Sequence, residues 1–269
     1  MTRSYVTRAR VADLRQRLGE RDWAIIRDVE RFGVMAAGQL KRLHFTDGSP
    51  QSNARSCRRV LERLAAEQIL VRLGRSIGGQ AAGSSAHLYS LSVAGQRLLH
   101  PDTTRRFYAP DTPSSNLFLG HRLMVTELGV RLREAQHAGT LELVTFDSEP
   151  AAWRSFTSPT GGTETLKPDG YVEVAVGDYV DSYFLEADLA TEGRGALTRK
   201  LDQYARYYAT GQHQHANGGS FPRVLFVVPT EHRQEQLVNI IGRQPAELWQ
   251  LYRVVTFEHF QSVILGGAS

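Results

Sequence analysis

Three short motifs in this 269-residue chain hold residue types and spacings suited to phosphate chemistry: Pro168-Asp169-Gly170, Glu186-Ala187-Asp188 and Lys200 with Tyr204. Glu186 and Asp188 are two apart in a run of strand character, residues 182–189. The pleat therefore sends both carboxylates to one face, and Tyr183, Leu185, Ala187 and Leu189 to the other. Two like charges side by side repel. With Asp169 at the start of the neighbouring strand they would form an oxygen-rich pocket, in which Mg²⁺ or Mn²⁺ would offset the repulsion. Asp169 and Glu186 are the candidate metal ligands, with Asp188 assisting. Lys200 and Tyr204 are four apart on the helix that follows and share a face, so the Lys200 amine could orient a phosphate or a water. Thr191 lies in the same stretch. Each motif also has an ordinary reading: Pro-Asp-Gly is a common turn, and alternating acids suit the solvated face of an edge strand.

Other chemistry finds less support. His213-Gln-His215 and His232 have the residue types of a metal site, but the neighbouring Gly211, Asn217, Gly218 and Gly219 read as a polar loop. His121 falls inside a helix, where a lone histidine is usually structural. Cys57, the single cysteine, sits on an apolar stripe and excludes both an internal disulfide and a cysteine-built zinc site. A phosphate-binding glycine loop, a nucleophile elbow and a dinucleotide fingerprint are all missing from the sequence, which removes support for ATP hydrolysis, acyl transfer and hydride transfer.

The elements that must position these groups divide by charge. Residues 1–110 hold 19 Lys and Arg against 9 Asp and Glu, a net of +10, whereas residues 111–269 hold 13 against 19, a net of −6. A positive half attracts a polyanion through counterion release, and a carboxylate-rich half repels phosphate unless a cation intervenes. Length and a 41% hydrophobic content suit two modest domains, expected at 1–100 and 116–269 with a Pro-, Thr- and Ser-rich linker at 101–115. The sequence lacks an apolar stretch of the roughly 18 residues that a membrane span needs, so a cytoplasmic protein with no membrane partner is expected.

In the basic half, Trp23, Ile25, Ile26 and Val29 recur at helical spacing over 21–32, and a shorter helix over 36–44 carries Leu40 and Leu43, with a break at Gly33. Ser49-Pro50 is an N-cap with proline at the first helical position. The third helix that it opens has a core stripe of Cys57, Val60, Leu61 and Leu64. Its other face is cationic and polar: Gln51, Ser52, Asn53, Arg55, Arg58, Arg59 and Arg63 are the candidate DNA contacts. Two strands, near 69–73 and 87–91, flank a Gly-rich loop. This predicts a wing in which Arg72 and Arg75 reach phosphate or the minor groove. A helix over 93–99 closes a winged helix-turn-helix. The plainer alternative is a helical interaction module whose arginines form a solvated face.

The acidic half reads as a long helix ending before Gly139, then strands at 141–146, 170–176 and 182–189, a helix over 196–209, a strand at 224–228, a helix over 231–241 and a strand at 252–257. A three-stranded meander followed by βα units implies a mixed sheet flanked by helices, an α+β or α/β class.

Pro168-Asp169, Glu186-Ala187-Asp188 and Lys200, set on strands and a helix in this order, resemble the PD-(D/E)XK (restriction-endonuclease-like) fold, in which metal-bound carboxylates and a lysine cleave phosphodiesters. The lysine lies at Lys200 rather than two residues after the second acid, where this chain has Asp188. From about Arg21 to Phe257 the chain resembles the replication-relaxation family of plasmids and mobile elements, on the winged-helix start, Pro168-Asp169-Gly170, Phe184-Leu185-Glu186-Ala187-Asp188 and Lys200-Leu201-Asp202-Gln203-Tyr204. The resemblance implies double-stranded DNA as partner and a role in replication, relaxation or mobilisation. A homodimer is expected, with replication or relaxase proteins as further partners. The degenerate motif favours an inactive nuclease-like domain. The alternative is a metal-dependent endonuclease or nickase using Asp169, Glu186, Asp188 and Lys200.

Overall fold

The computed structural model of the chain describes residues 6–73, 87–103, 106–108, 116–158 and 161–266. Arg75, the rest of the loop expected to form a wing, and most of the expected linker lie outside the described residues. The chain divides into two compact units, Met1–Val130 and Arg131–Ser269.

The first unit opens with α1 (Arg8–Arg17) and α2 (Glu20–Phe32), then β1 (Met35–Ala36), α3 (Ala37–His44) and α4 (Pro50–Ala66). A hairpin of β2 (Leu70–Leu73) and β3 (Leu88–Leu91) follows, then α5 (Val93–Leu99). Local chemistry sets these boundaries. The Ser49 hydroxyl accepts the Ser52 amide at 3.3 Å ahead of Pro50, and the Ser92 hydroxyl accepts the Gly95 amide at 3.1 Å. Gly33 ends α2 at φ +73°, a conformation glycine adopts without steric cost, and its amide donates to the Val29 carbonyl at 2.9 Å.

The helices turn one face inward. Ile25, Ile26, Val29 and Phe32 of α2, Leu40 and Leu43 of α3, Cys57, Leu61 and Leu64 of α4, and Ala94 and Leu98 of α5 are buried. Each large apolar side chain so buried contributes about 1.5–3 kcal/mol. β1 and β2 both pair antiparallel with β3, forming a sheet in the order β1-β3-β2.

The long helix α6 (Asn116–His137) contains the division between the units. Its first half belongs to the first unit, because Leu119 and Leu123 pack on Val34, Ala36, Leu73 and Leu88. The Thr126 hydroxyl donates to the Val34 carbonyl at 3.0 Å, and Glu127 accepts from Arg42 at 2.6 Å and from Gln39 at 3.0 Å. The apolar periodicity of α6 announces a buried helix, but periodicity does not say what covers it.

In the second unit, β4 (Glu142–Ser148), β5 (Arg154–Thr157), β6 (Thr163–Leu166), β7 (Gly170–Val176) and β8 (Tyr179–Ala187) precede α7 (Arg194–Ala209) and α8 (Gln212–Ala216). Then come β9 (Arg223–Val228), α9 (Glu231–Ile241), a 3-10 turn (Ala246–Leu251), β10 (Tyr252–Thr256) and α10 (Phe260–Ile264). The main sheet has the order β10-β9-β8-β7-β4. Its β8, β9 and β10 run parallel, and β7 lies antiparallel to both β8 and β4. This is the mixed sheet that the sequence pattern predicts.

One face of that sheet presents Tyr171, Phe184, Val224, Phe226, Val228, Tyr252 and Val254 to Leu197, Leu201, Tyr204 and Tyr207 of α7 and to Leu237 and Ile241 of α9. The separate β5–β6 hairpin adds Phe156 and Leu166 to the same core. Among the described residues, no helix is long and apolar enough to cross a membrane.

Candidate functional site

β8 is the strand that changes the sheet from antiparallel to parallel, and Glu186 stands near its C-terminal end. Loops at the carboxyl ends of parallel strands are where α/β sheets place their ligands. The register pairing Gly170 with Leu185 continues to bring Asp169 opposite Glu186. Asp169 is fixed there because its Oδ2 accepts the Ala187 amide at 2.7 Å.

The Glu186 side chain points to the face covered by α7, which supplies two donors one turn apart. Lys200 Nζ donates to Glu186 Oε2 at 2.7 Å, and the Tyr204 hydroxyl donates to Oε1 at 2.5 Å. Lys200 donates as well to Glu192 Oε1 at 3.2 Å. Glu186 is 1% exposed and Tyr204 is fully buried. Burial pushes the Glu186 carboxyl up to about 7, against the pull of Lys200; Asp169 adds to the rise, and the Lys200 and Tyr204 hydrogen bonds oppose it. Burial works against the Lys200 charge, but Glu186, Asp169 and Glu192 outweigh it and hold the ammonium above its ordinary range. Burial and the neighbouring Glu186 likewise raise the Tyr204 phenol.

Asp188 is committed elsewhere. Its Oδ2 accepts from Arg233 Nε at 2.8 Å and its Oδ1 from the Ala190 amide at 2.6 Å. Arg233 Nη2 also donates to the Glu192 carbonyl at 2.7 Å, tying α9 to the loop after β8. Neither Arg233 nor Glu192 stands out as a site residue in the sequence reading. The available signal for Arg233 is its place on the α9 stripe with Leu237 and Ile241, where an apolar residue is expected. Thr191, beside Glu192, is exposed.

Mg²⁺ is bound through free carboxylate oxygens in octahedral geometry. Both oxygens of Glu186 and both of Asp188 already accept hydrogen bonds, as does Asp169 Oδ2. Among the described residues, no group of three or more His, Cys, Asp or Glu side chains is arranged to hold a metal. The residues present do not fit Mg²⁺ or Mn²⁺.

His213 is buried on α8, ringed by Tyr171, Phe184, Tyr207 and Phe221 with centroid separations of 5.7–6.3 Å. The sequence reading makes this stretch a polar loop, because its glycines and asparagine hide the single helical turn that faces the aromatic core. Cys57, as expected, is buried, and burial pushes its thiol up to about 11.

The positions on α4 separate into two groups. Arg55, Arg58, Arg59, Gln51 and Ser52 are exposed, and among the described residues the three arginines form no ion pair. Ser49, Gln51, Ser52, Arg55, Ser56 and Arg59 line an open depression of about 460 Å³. Arg63, by contrast, donates to Asp22 at 2.6 Å and lies 3.6 Å from Glu67, a tie between α4 and α2. Asn53 serves the turn before the helix: its Oδ1 accepts the Gly48 amide at 3.1 Å, and its Nδ2 donates to the Gly48 carbonyl at 3.0 Å. Arg72, on β2, leans on His87.

The two units define a protein of mixed α+β class: a helical unit with a small antiparallel sheet, and a unit whose mixed sheet holds buried acids against a lysine. The chain belongs to the replication-relaxation family, whose model matches residues 26–224. No curated protein matches it. A solved structure of restriction endonuclease FokI bound to DNA resembles it at a TM-score of 0.25 and 12% identity, over 93% of this chain and 45% of that one. The chain thus spans less than half of that protein, and a likeness at this score carries no weight here.

Proposed function

We propose that this protein binds double-stranded DNA through its first unit, a winged helix in which α4 enters the major groove, and that it serves plasmid replication, relaxation or mobilisation. The observation that carries the reading is the state of the α4 arginines. Arg55, Arg58 and Arg59 stand exposed beside Gln51 and Ser52 near a capped helix N-terminus, whereas Arg63 on the same helix is held by Asp22. A helix N-terminus and unpaired guanidinium groups both attract phosphate, and a bidentate arginine reads guanine. Helix order, the β2–β3 hairpin and the net charge of +10 over residues 1–110 support the same reading. Family membership supports the setting of replication or relaxation, and the protein acts as a homodimer on a two-fold site.

The second unit is a PD-(D/E)XK-like domain that does not cleave DNA. Its lysine and tyrosine bond the acid that a metal would need. It serves assembly or contact with replication or relaxase proteins.

A gel-shift titration against the plasmid's own origin and transfer region tests the binding function. Arg55→Ala and Arg59→Ala should each weaken specific binding by about 1–3 kcal/mol where the arginine contacts a base. Unchanged affinity in both variants would overturn the assignment of α4. A supercoiled-plasmid assay with Mg²⁺ or Mn²⁺ tests the second unit, and nicking that is lost in Asp169→Ala would replace this reading with that of a nickase.

A further inference from the structure

We infer that the Lys200 ammonium is the resident cation of the carboxylate pocket, seated where a divalent ion would otherwise sit, so that the chain itself excludes the metal. The inference deepens the reading of the second unit as non-cleaving and rests on it.

The geometry gives the ammonium two acid partners, Glu186 Oε2 at 2.7 Å and Glu192 Oε1 at 3.2 Å, with Asp169 across the β7–β8 register. The Lys200 stem leaves a helix that cannot easily withdraw. Leu197 and Leu201 flank it in the core, Tyr204 is fully buried one turn on, and the Tyr252 hydroxyl donates to the Leu201 carbonyl at 2.9 Å. Tyr204, one turn further along α7, donates to the second Glu186 oxygen, so both oxygens of the carboxylate are already engaged by protein donors. Mg²⁺ releases its water reluctantly and is held through one or two carboxylates, and to take Glu186 and Glu192 it would have to displace both Lys200 contacts. The Glu192 Oε2 atom is buried with no hydrogen-bond partner, which leaves an acceptor at this pocket's edge for a cation admitted once the ammonium is gone.

The test follows Mn²⁺ binding to the full chain by the loss of its free-ion paramagnetic resonance signal, a readout independent of activity. Wild type should bind no Mn²⁺ at this site at millimolar concentration. Lys200→Met should gain a single site at least ~10-fold tighter than any wild-type binding, and Asp169→Asn added to Lys200→Met should abolish it. One-site binding to wild type that is lost in Asp169→Asn would overturn the inference, as would a folded Lys200→Met that gains nothing. If Lys200→Met does not fold, Glu186→Gln/Lys200→Met removes both charges together. Recovery of a cooperative melt in that pair sustains Lys200 as the counter-ion of Glu186, and failure to recover it overturns the inference. Gel-shift affinity and plasmid nicking are read on separate samples. A failure of DNA binding or an appearance of cleavage is therefore distinguishable from a result about the cation.

Discussion

Arg63 Nη2 lies 2.6 Å from Asp22 Oδ1, and this contact sets Arg63 apart from the other arginines of α4. Asp22 is buried, and it also accepts the Gly19 amide at 3.0 Å at the start of α2. The guanidinium therefore does structural work on a carboxylate that cannot reach bulk water. Arg63→Ala should lower stability by about 1–3 kcal/mol, because it leaves a buried acceptor short of a donor. Arg59→Ala, at an exposed position, should fall within about 0.5 kcal/mol of wild type. Urea denaturation monitored by circular dichroism separates the two, and equal effects would refute the distinction.

The converse should hold for DNA. If Arg55, Arg58 and Arg59 neutralise phosphates, the slope of log affinity against log salt should become shallower by about 0.9 for each arginine removed. Arg63→Ala should leave that slope unchanged. Gel-shift titrations at several salt concentrations check this, and a slope indifferent to the exposed arginines would place the polyanion elsewhere.

Asp188 and Arg233 make the corresponding contrast in the second unit. Both side chains are buried, 5% and 10% exposed, and they meet at 2.8 Å. Removing one partner strands the other charge in the core. Arg233→Met should cost about 3–5 kcal/mol, and Asp188→Asn in the same chain should recover part of it. Thermal melts of the singles and the double complete the cycle. Strict additivity would show that the ion pair does not couple α9 to the loop after β8.

These pairs mark where sequence reading succeeds and where it stops. α4 is legible because Ser49-Pro50 and the Cys57, Leu61, Leu64 stripe are local signals. The approach of Asp169 to Glu186 is legible because strand alternation and a meander suffice to predict it. α1 is not, since Leu14 is its only buried residue and a helix anchored at one point shows no periodicity. The β5–β6 hairpin is hidden for a similar reason: its four-residue strands mix Arg, Ser, Thr and Glu with few apolar positions. Partner choice is the least legible property. Nothing local indicates that Arg63 turns to Asp22, 41 residues away, or Arg233 to Asp188, 45 residues away.

Gly95 tests packing in the first unit without touching charge. A Cβ built there would lie 2.5 Å from the Ile69 carbonyl oxygen and 3.0 Å from a Leu91 methyl, so the first obstacle is backbone rather than a pliable side chain. That carbonyl also accepts the Ser92 amide at 3.0 Å, which joins the end of β3 to the residue leading into β2. Gly95→Ala should therefore destabilise the first unit by about 1–3 kcal/mol, despite the better helix propensity of alanine. Gly38→Ala, where a Cβ meets nothing within 4 Å on α3, should be neutral or stabilising by up to about 1 kcal/mol. A melt in which both substitutions stabilise would mean that α5 does not press on β2 this closely.

His213 supplies a pH dependence with a definite sign. Burial, with a smaller push from Arg154, lowers its pKa below the ordinary 6.5. Burial favours the neutral ring in the folded state, while the unfolded chain takes up a proton as pH falls past 6.5. The unfolded state then binds more protons, so the contribution is fully present above pH 6.5 and is lost as pH falls from there toward the folded pKa. The limiting slope is that of one proton, about 1.4 kcal/mol per pH unit. The rings facing it are Tyr171, Phe184, Tyr207 and Phe221, with Tyr207 Oη 3.5 Å from Nδ1; of the charged groups acting on it, Arg154 deepens the lowering and Glu173 partly offsets it. His213→Phe keeps the aromatic packing and removes the titration. Its melting temperature should fall less than that of wild type between pH 6.5 and 5, and parallel curves for the two proteins would show that His213 titrates alike in the folded and unfolded chains.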